Sequence, residues 1–194
     1  MQNIKKYLYK KETFNIIDAI YIFLLAGVLG WLIEIGYVYT ITGKIVDRGM
    51  CYGPICTIYG IGALILYSIF GNLEKKKSNI IIVFLSSSLI LGTFEVISGL
   101  FLKFVLNLEM WNYDGQFLEI LNYTTVPITL GWGLIACFYI FFIQPLMFKI
   151  IRFTPKTISK RLALILISLY FLDYSLSLYT VINNPEILYD LVNP

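Results

Sequence analysis

Five apolar runs, each near the length of a bilayer-spanning helix, constrain this chain more than anything else in it. A spanning helix needs about 20 apolar residues, and such runs cover about Ala19 to Thr40, Pro54 to Phe70, Ile80 to Val105, Pro127 to Met147 and Leu162 to Ile182. With 58% hydrophobic and 14% charged residues among 194, a water-soluble core of this size could not hide so much apolar surface. Lipid must serve as the solvent. The expected fold is an all-α integral membrane bundle with five transmembrane helices, occupying 16–182 between a cytoplasmic lead-in at 1–15 and a short external tail at 183–194. Nothing in the composition points to nucleic acid as a partner.

The basic residues orient that bundle. Lys5, Lys6, Lys10 and Lys11 precede the first run, Lys75, Lys76 and Lys77 follow the second, and Lys149, Arg152, Lys156, Lys160 and Arg161 follow the fourth. Twelve of the fifteen Lys and Arg residues thus fall on one side, against Lys44, Arg48 and Lys103 on the other. Because cytoplasmic segments carry the excess of Lys and Arg, the amino end is expected in the cytoplasm and the carboxyl end outside the plasma membrane. Four or six spans would put a base-rich or base-free segment on the wrong side. The lead-in has no long apolar core and no small-residue cleavage site, so it does not read as a cleaved signal peptide.

With no histidine and only Cys51, Cys56 and Cys137, a zinc or haem site is not expected, and no metal or cofactor is assigned. The cysteines read as small apolar packing residues, with a Cys51–Cys56 disulfide as the alternative at an outer surface. Both outer links are rich in aromatic and turn residues, whereas the cytoplasmic ones are short and charged. The first outer link, RGMCYGPICTIYGIG from Arg48 to Gly62, is dense in glycine, proline and tyrosine. Lipid offers no partners for irregular backbone, so such a stretch suggests a packed hairpin mouth or a lined cavity. Pro54 and Pro127 each stand near the start of the next helix, where a missing N–H costs nothing, and Thr124 and Thr125 can cap the helix at Pro127. Gln144-Pro145 is expected to end or kink the fourth span.

Three acids lie inside spans: Glu34, Glu95 and Asp173. A carboxylate at mid-membrane costs roughly 2.5–3.5 kcal/mol on insertion scales and is usually turned inward. Gly27, Gly30 and Glu34 share one helical face, Gly92, Glu95 and Gly99 another, and Tyr170, Asp173 and Ser177 a third. The sharper expectation is a ladder of acids descending from an outer mouth and binding a cation, a proton or an amine-bearing solute. The alternative is structural pairing with Arg48, Lys103 or helix hydroxyls. Arg48 itself is either an anion site or a salt bridge to Asp47, Glu34 or Glu95. Tyr52 and Tyr59 flank the hairpin and join the candidate binding set, while Trp111 and Tyr113 are interfacial anchors or an outer lid. Spans one and three also hint at a repeat, since Gly30 precedes Glu34 by four residues and Gly92 precedes Glu95 by three.

Gly30-Trp31-x-x-Glu34, Asp47-Arg48-Gly49, Gly53-Pro54, Ile58-Tyr59-Gly60-x-Gly62, Glu95-x-x-x-Gly99, Trp111-x-Tyr113 and Trp132-Gly133 together resemble the ABC-transporter permease family called CmpB-like or type IV. The likeness runs from about Gly27 to Gly133, and the second-span motif is its most specific part. Several positions depart from the family pattern: Asp47 stands for Asn, Lys103 for an acid, and Asn112 and Asp114 for the Asp and Ser of a W-D-Y-S motif. The Arg usual before Trp-Gly is missing near Thr125 to Ile128. The resemblance implies a permease or substrate-binding membrane subunit of a transporter for a small solute. The chain has no Walker motif, so the resemblance implies a separate ATPase subunit as partner, and five spans favour a homo-oligomer or complex. The rival reading is a non-transporting accessory or assembly protein that packs its glycine faces against partner helices. An enzymatic reading has no clear nucleophile, histidine or metal motif to rest on.

Overall fold

In a computed structural model, residues 15–71 and 79–184 are described. The basic lead-in, Lys75, Lys76, Lys77 and most of the carboxyl tail lie outside the described residues. Helices dominate: α1 (Ile16–Thr42), α2 (Thr57–Phe70), α3 (Ile80–Leu106), α4 (Val126–Phe138), α5 (Gln144–Phe153) and α6 (Lys156–Asn183). A π-helical turn at Tyr139–Ile143 joins α4 to α5 without a break. The only strands among the described residues form a short antiparallel pairing of β1 (Glu119–Ile120) with β2 (Thr124–Thr125), Glu119 opposite Thr125.

Local chemistry sets the helix ends. Asn15 and Asn79 accept the N–H of the residue two further on and cap α1 and α3. Gly43 (φ 69°) closes α1 in the left-handed conformation, its N–H returning to the Tyr39 carbonyl at 2.9 Å. Thr125 caps α4 through Ile128 N–H at 3.2 Å, with Pro127 in the first turn. Of the two outcomes expected at Gln144-Pro145, an end or a kink, the end does not occur. Pro145 lacks the N–H that would meet the carbonyl of residue 141, and that carbonyl lies in the π turn, so the helix absorbs the defect and runs on.

Four stretches are long and apolar enough to cross a bilayer: Ile16–Thr42, Ile80–Leu106, Val126–Phe153 and Lys156–Asn183. The second expected span is built differently. α2 has 14 residues and is about 21 Å long, short of the roughly 30 Å hydrocarbon core. It begins beside the middle of α1, where Cys56 N–H donates to the Gly27 carbonyl at 3.0 Å. It also begins beside the middle of α6, where the Thr57 and Tyr170 hydroxyls are 3.1 Å apart. Residues 44–56 therefore fold back along the carboxyl-terminal half of α1 in non-helical form. Pro54 sits within this non-helical segment, and Cys56 rather than Pro54 marks the start of α2.

Two glycine-seamed pairs make up the core. In α1–α2, Tyr59 covers Gly30 and Phe23 covers Gly60; in α3–α4, Thr129 covers Gly92, Ser88 and Phe84 cover Gly133, and Tyr123 reaches Gly99 from the link. Ile22, Ala63, Leu66, Leu91, Ala136 and Ile140 then join the pairs in one apolar cluster. Each pair is a long helix with a glycine face, a non-helical link, and a return helix. These two like-ordered pairs are the two halves of the core.

Candidate functional site

Each half supplies one carboxylate and one aromatic donor. In the first, Tyr59 donates its hydroxyl to Glu34 Oε1 at 2.7 Å; in the second, Trp132 donates Nε1–H to Glu95 Oε2 at 2.9 Å. The Tyr59 and Trp132 rings meet with centroids 5.1 Å apart, closing a chain from one acid to the other. Glu34 is partly accessible while Glu95 is buried, with the Thr124 hydroxyl also turned to it. Tyr59 holds its place because Gly30 leaves room for its ring.

Above this chain lies a cavity of about 780 Å³. Glu34, Glu95, Arg48, Tyr59, Trp111 and Tyr113 line it, as do Trp132, Tyr37, Asn107 and Asn112. Arg48 Nε stands 3.8 Å from Glu34 Oε2, and the folded-back segment that carries it is fixed by Asp47, whose Oδ1 accepts from Trp31 Nε1–H at 2.6 Å. Trp111 is tied to the Tyr123 carbonyl at 3.0 Å and Tyr113 N–H to the Asn122 carbonyl at 2.8 Å. Burial, and the carboxylates of Glu95 and Glu34, push the Tyr113 phenol well above its ordinary pKa, so it stays a neutral donor. At the rim, Lys103 pairs with Glu109 at 3.9 Å rather than with Glu95.

Of the residues expected at the site, Glu34, Arg48, Tyr59, Glu95, Trp111 and Tyr113 share this cavity, and Asp173 and Tyr52 do not. Asp173 Oδ2 accepts Gly53 N–H at 3.0 Å, Ser177 Oγ accepts Tyr52 N–H at 3.1 Å, and the Tyr52 hydroxyl donates to Thr180 at 2.9 Å. The Tyr170, Asp173 and Ser177 face expected of α6 exists, and it carries the backbone of the non-helical segment rather than a third rung of the ladder. Irregular backbone beside an apolar bundle needs such partners. Asp173→Ala should lower stability by about 1–3 kcal/mol, because Gly53 N–H loses its acceptor, whereas Asp173→Asn, which keeps an acceptor oxygen, should melt close to wild type. Thermal unfolding in detergent separates these outcomes.

Sequence reasoning missed Trp132 as the donor to Glu95 and Tyr37, Asn107 and Asn112 as lining residues. Trp132 had a signal, since Gly131 and Gly133 flank it, but the tight helix contact this implied concerns Gly133 alone; nothing lies within 4 Å of a Cβ built at Gly131. All three cysteines are free thiols, Cys51 and Cys56 buried, so the packing reading holds for that pair and no disulfide links them. Among the described residues no group of three or more His, Cys, Asp and Glu side chains is placed to hold a metal ion.

Long apolar helices around a polar cavity lined by carboxylates, one guanidinium and aromatic rings define a multi-pass membrane protein of the helical-bundle class. A family model described as "Putative ABC-transporter type IV" (CmpB) matches residues 21–178. The chain belongs to that family, and its role is a transport-related one in the membrane. No curated protein and no solved structure matches the chain.

Proposed function

We propose that the chain is the permease or substrate-binding membrane subunit of a transporter, and that a small solute is held in the outer cavity between Glu34 and Glu95. The observation that carries this reading is the convergence of those two acids, one from each like-built half, on a single cavity through Tyr59 and Trp132. Carboxylates at such depth are costly and usually functional. The second crossing is made by residues 44–56 together with α2, which gives five crossings, an amino end in the cytoplasm and a cavity mouth facing out. Discontinuous spans of this kind line substrate sites in other transport folds. A separate ATPase subunit drives release toward the cytoplasm, and the exposed α6 offers a surface for a second copy.

The accessory reading relied on glycine faces available to partner helices. Gly30, Gly60, Gly92, Gly99 and Gly133 are instead covered within the chain, which favours the transport reading. The Glu34→Gln/Glu95→Gln protein should insert into membranes at the wild-type level and lose uptake or binding by at least about 100-fold, since charge-assisted contacts of both acids go. Comparing membrane content with uptake in proteoliposomes checks this; full activity in the double variant would sink the proposal.

A further inference from the structure

The polar cavity is not alone. On its inner side lies a second one of about 370 Å³, walled by Leu29, Ile58, Leu66, Phe94, Ala136 and Tyr139. Ile33, Tyr59, Glu95, Trp132 and Ile135 border both, so the two adjoin at the level of the acid-aromatic chain. There the Tyr59 hydroxyl and the Trp132 N–H are turned to Glu34 and Glu95, so that apart from Glu95 at its border the inner cavity is walled by hydrocarbon and ring faces. Leu29, Leu32, Ile33, Ile135 and Phe138 on its wall are each more than a third exposed, so it opens sideways onto the apolar exterior of the bundle. Its π-helical end, Tyr139 to Ile143, is the kind of helix irregularity that recurs at functional sites.

Resting on the solute-binding reading above, we infer that the solute is a membrane amphiphile with an ammonium headgroup, its head in the outer cavity and its hydrocarbon chain in the inner one. The headgroup assignment follows from the lining: Arg48 is at Glu34 and Lys103 at Glu109, which leaves Glu95, held by the Trp132 N–H, as the acid the headgroup meets. The aromatic faces of Trp111, Tyr113 and Trp132 beside those acids suit an organic cation better than an inorganic one. The chain assignment follows from the apolar continuation, which a short water-soluble amine leaves empty. The sideways opening supplies the entry path from lipid, so head and chain reach the site together.

The test is equilibrium binding of radiolabelled dodecyltrimethylammonium, choline and dodecanoate to the full-length protein in lipid nanodiscs, corrected for empty discs. Dodecyltrimethylammonium should bind saturably and at least about 100-fold tighter than choline, because burying each methylene adds to the free energy, and dodecanoate should stay at background. Glu95→Gln should weaken both cations. Leu29→Trp, which fills the inner cavity from its exposed wall, should erase the advantage of the chain. Equal affinity for choline and dodecyltrimethylammonium would overturn the amphiphile and leave the solute reading standing. Saturable binding of dodecanoate at comparable affinity would overturn the cationic headgroup, and a chain advantage that survives Leu29→Trp would overturn the inner cavity as its seat. Absence of saturable binding by all three overturns the inference, and the uptake phenotype of the double glutamine variant then decides the solute reading by itself.

Discussion

Gly60→Val and Gly133→Val should each destabilise the bundle by about 1–3 kcal/mol or more, the usual cost of over-packing. The reason is that backbone, and not only the Phe23, Ser88 and Phe84 side chains, stands in the way. A Cβ at Gly60 would lie 2.7 Å from the Phe23 carbonyl oxygen, and one at Gly133 would lie 2.9 Å from the Phe84 carbonyl oxygen. Relief requires α1 to part from α2, or α3 from α4. Valine's two methyls worsen the clash. Gly36 is the matched control, since nothing lies within 4 Å of its Cβ position, and Gly36→Ala should be neutral or stabilise by up to about 1 kcal/mol through helix propensity. Thermal unfolding in detergent ranks the three. The first substitution has a second consequence, because the α1–α2 seam also seats Tyr59 under Glu34: solute binding should fall in Gly60→Val even in the fraction that remains folded. A wild-type melting point for Gly133→Val would mean that the two pairs are held together by something other than their glycine seams.

Much of this arrangement was legible in the residues. Apolar runs located the four long helical stretches, and three-four spacing put Gly30 with Glu34 and Gly92 with Glu95 on packed faces. Arg48, Tyr59, Trp111 and Tyr113 were recognisable as companions of those acids because a charged or aromatic residue beside a glycine-rich outer link has few other uses. Two things were not legible, and both concern the same segment. Hydropathy sees the apolar residues after Pro54 as the start of a helix. The helix starts only at Thr57, and the non-helical backbone before it finds acceptors for its N–H groups on α6 and α1 that no local pattern reveals. Asp173 was misplaced for the same reason. Helical spacing correctly turned it inward, but spacing does not say whether the partner across the gap is a ligand or the Gly53 N–H. Trp132 was ambiguous because a tryptophan between glycines is equally a packing residue until the acid that it serves, Glu95, is seen across the α3–α4 seam.

Arg48→Met should cost roughly 2–3 kcal/mol, somewhat below the loss expected for a fully buried pair, and most of that cost should vanish when Glu34→Gln is added. The guanidinium and carboxylate side chains are only 19% and 28% exposed, so their attraction is partly shielded from water. Without Arg48 the carboxylate keeps the Tyr59 hydroxyl and loses its counterion. A glutamine at the same position accepts the same hydrogen bond and needs no counterion. Stability across the four proteins, wild type, Arg48→Met, Glu34→Gln and the double variant, therefore forms a cycle whose coupling should be at least about 1 kcal/mol. Additive losses would show that Arg48 is held by other contacts and that its approach to Glu34 is incidental. The cycle also bears on the site itself. If the solute is a cation, it competes with Arg48 for Glu34, so Arg48→Met should bind dodecyltrimethylammonium more tightly than wild type while being the less stable protein. An anionic solute would reverse that sign, because Arg48 would then be its partner rather than its rival.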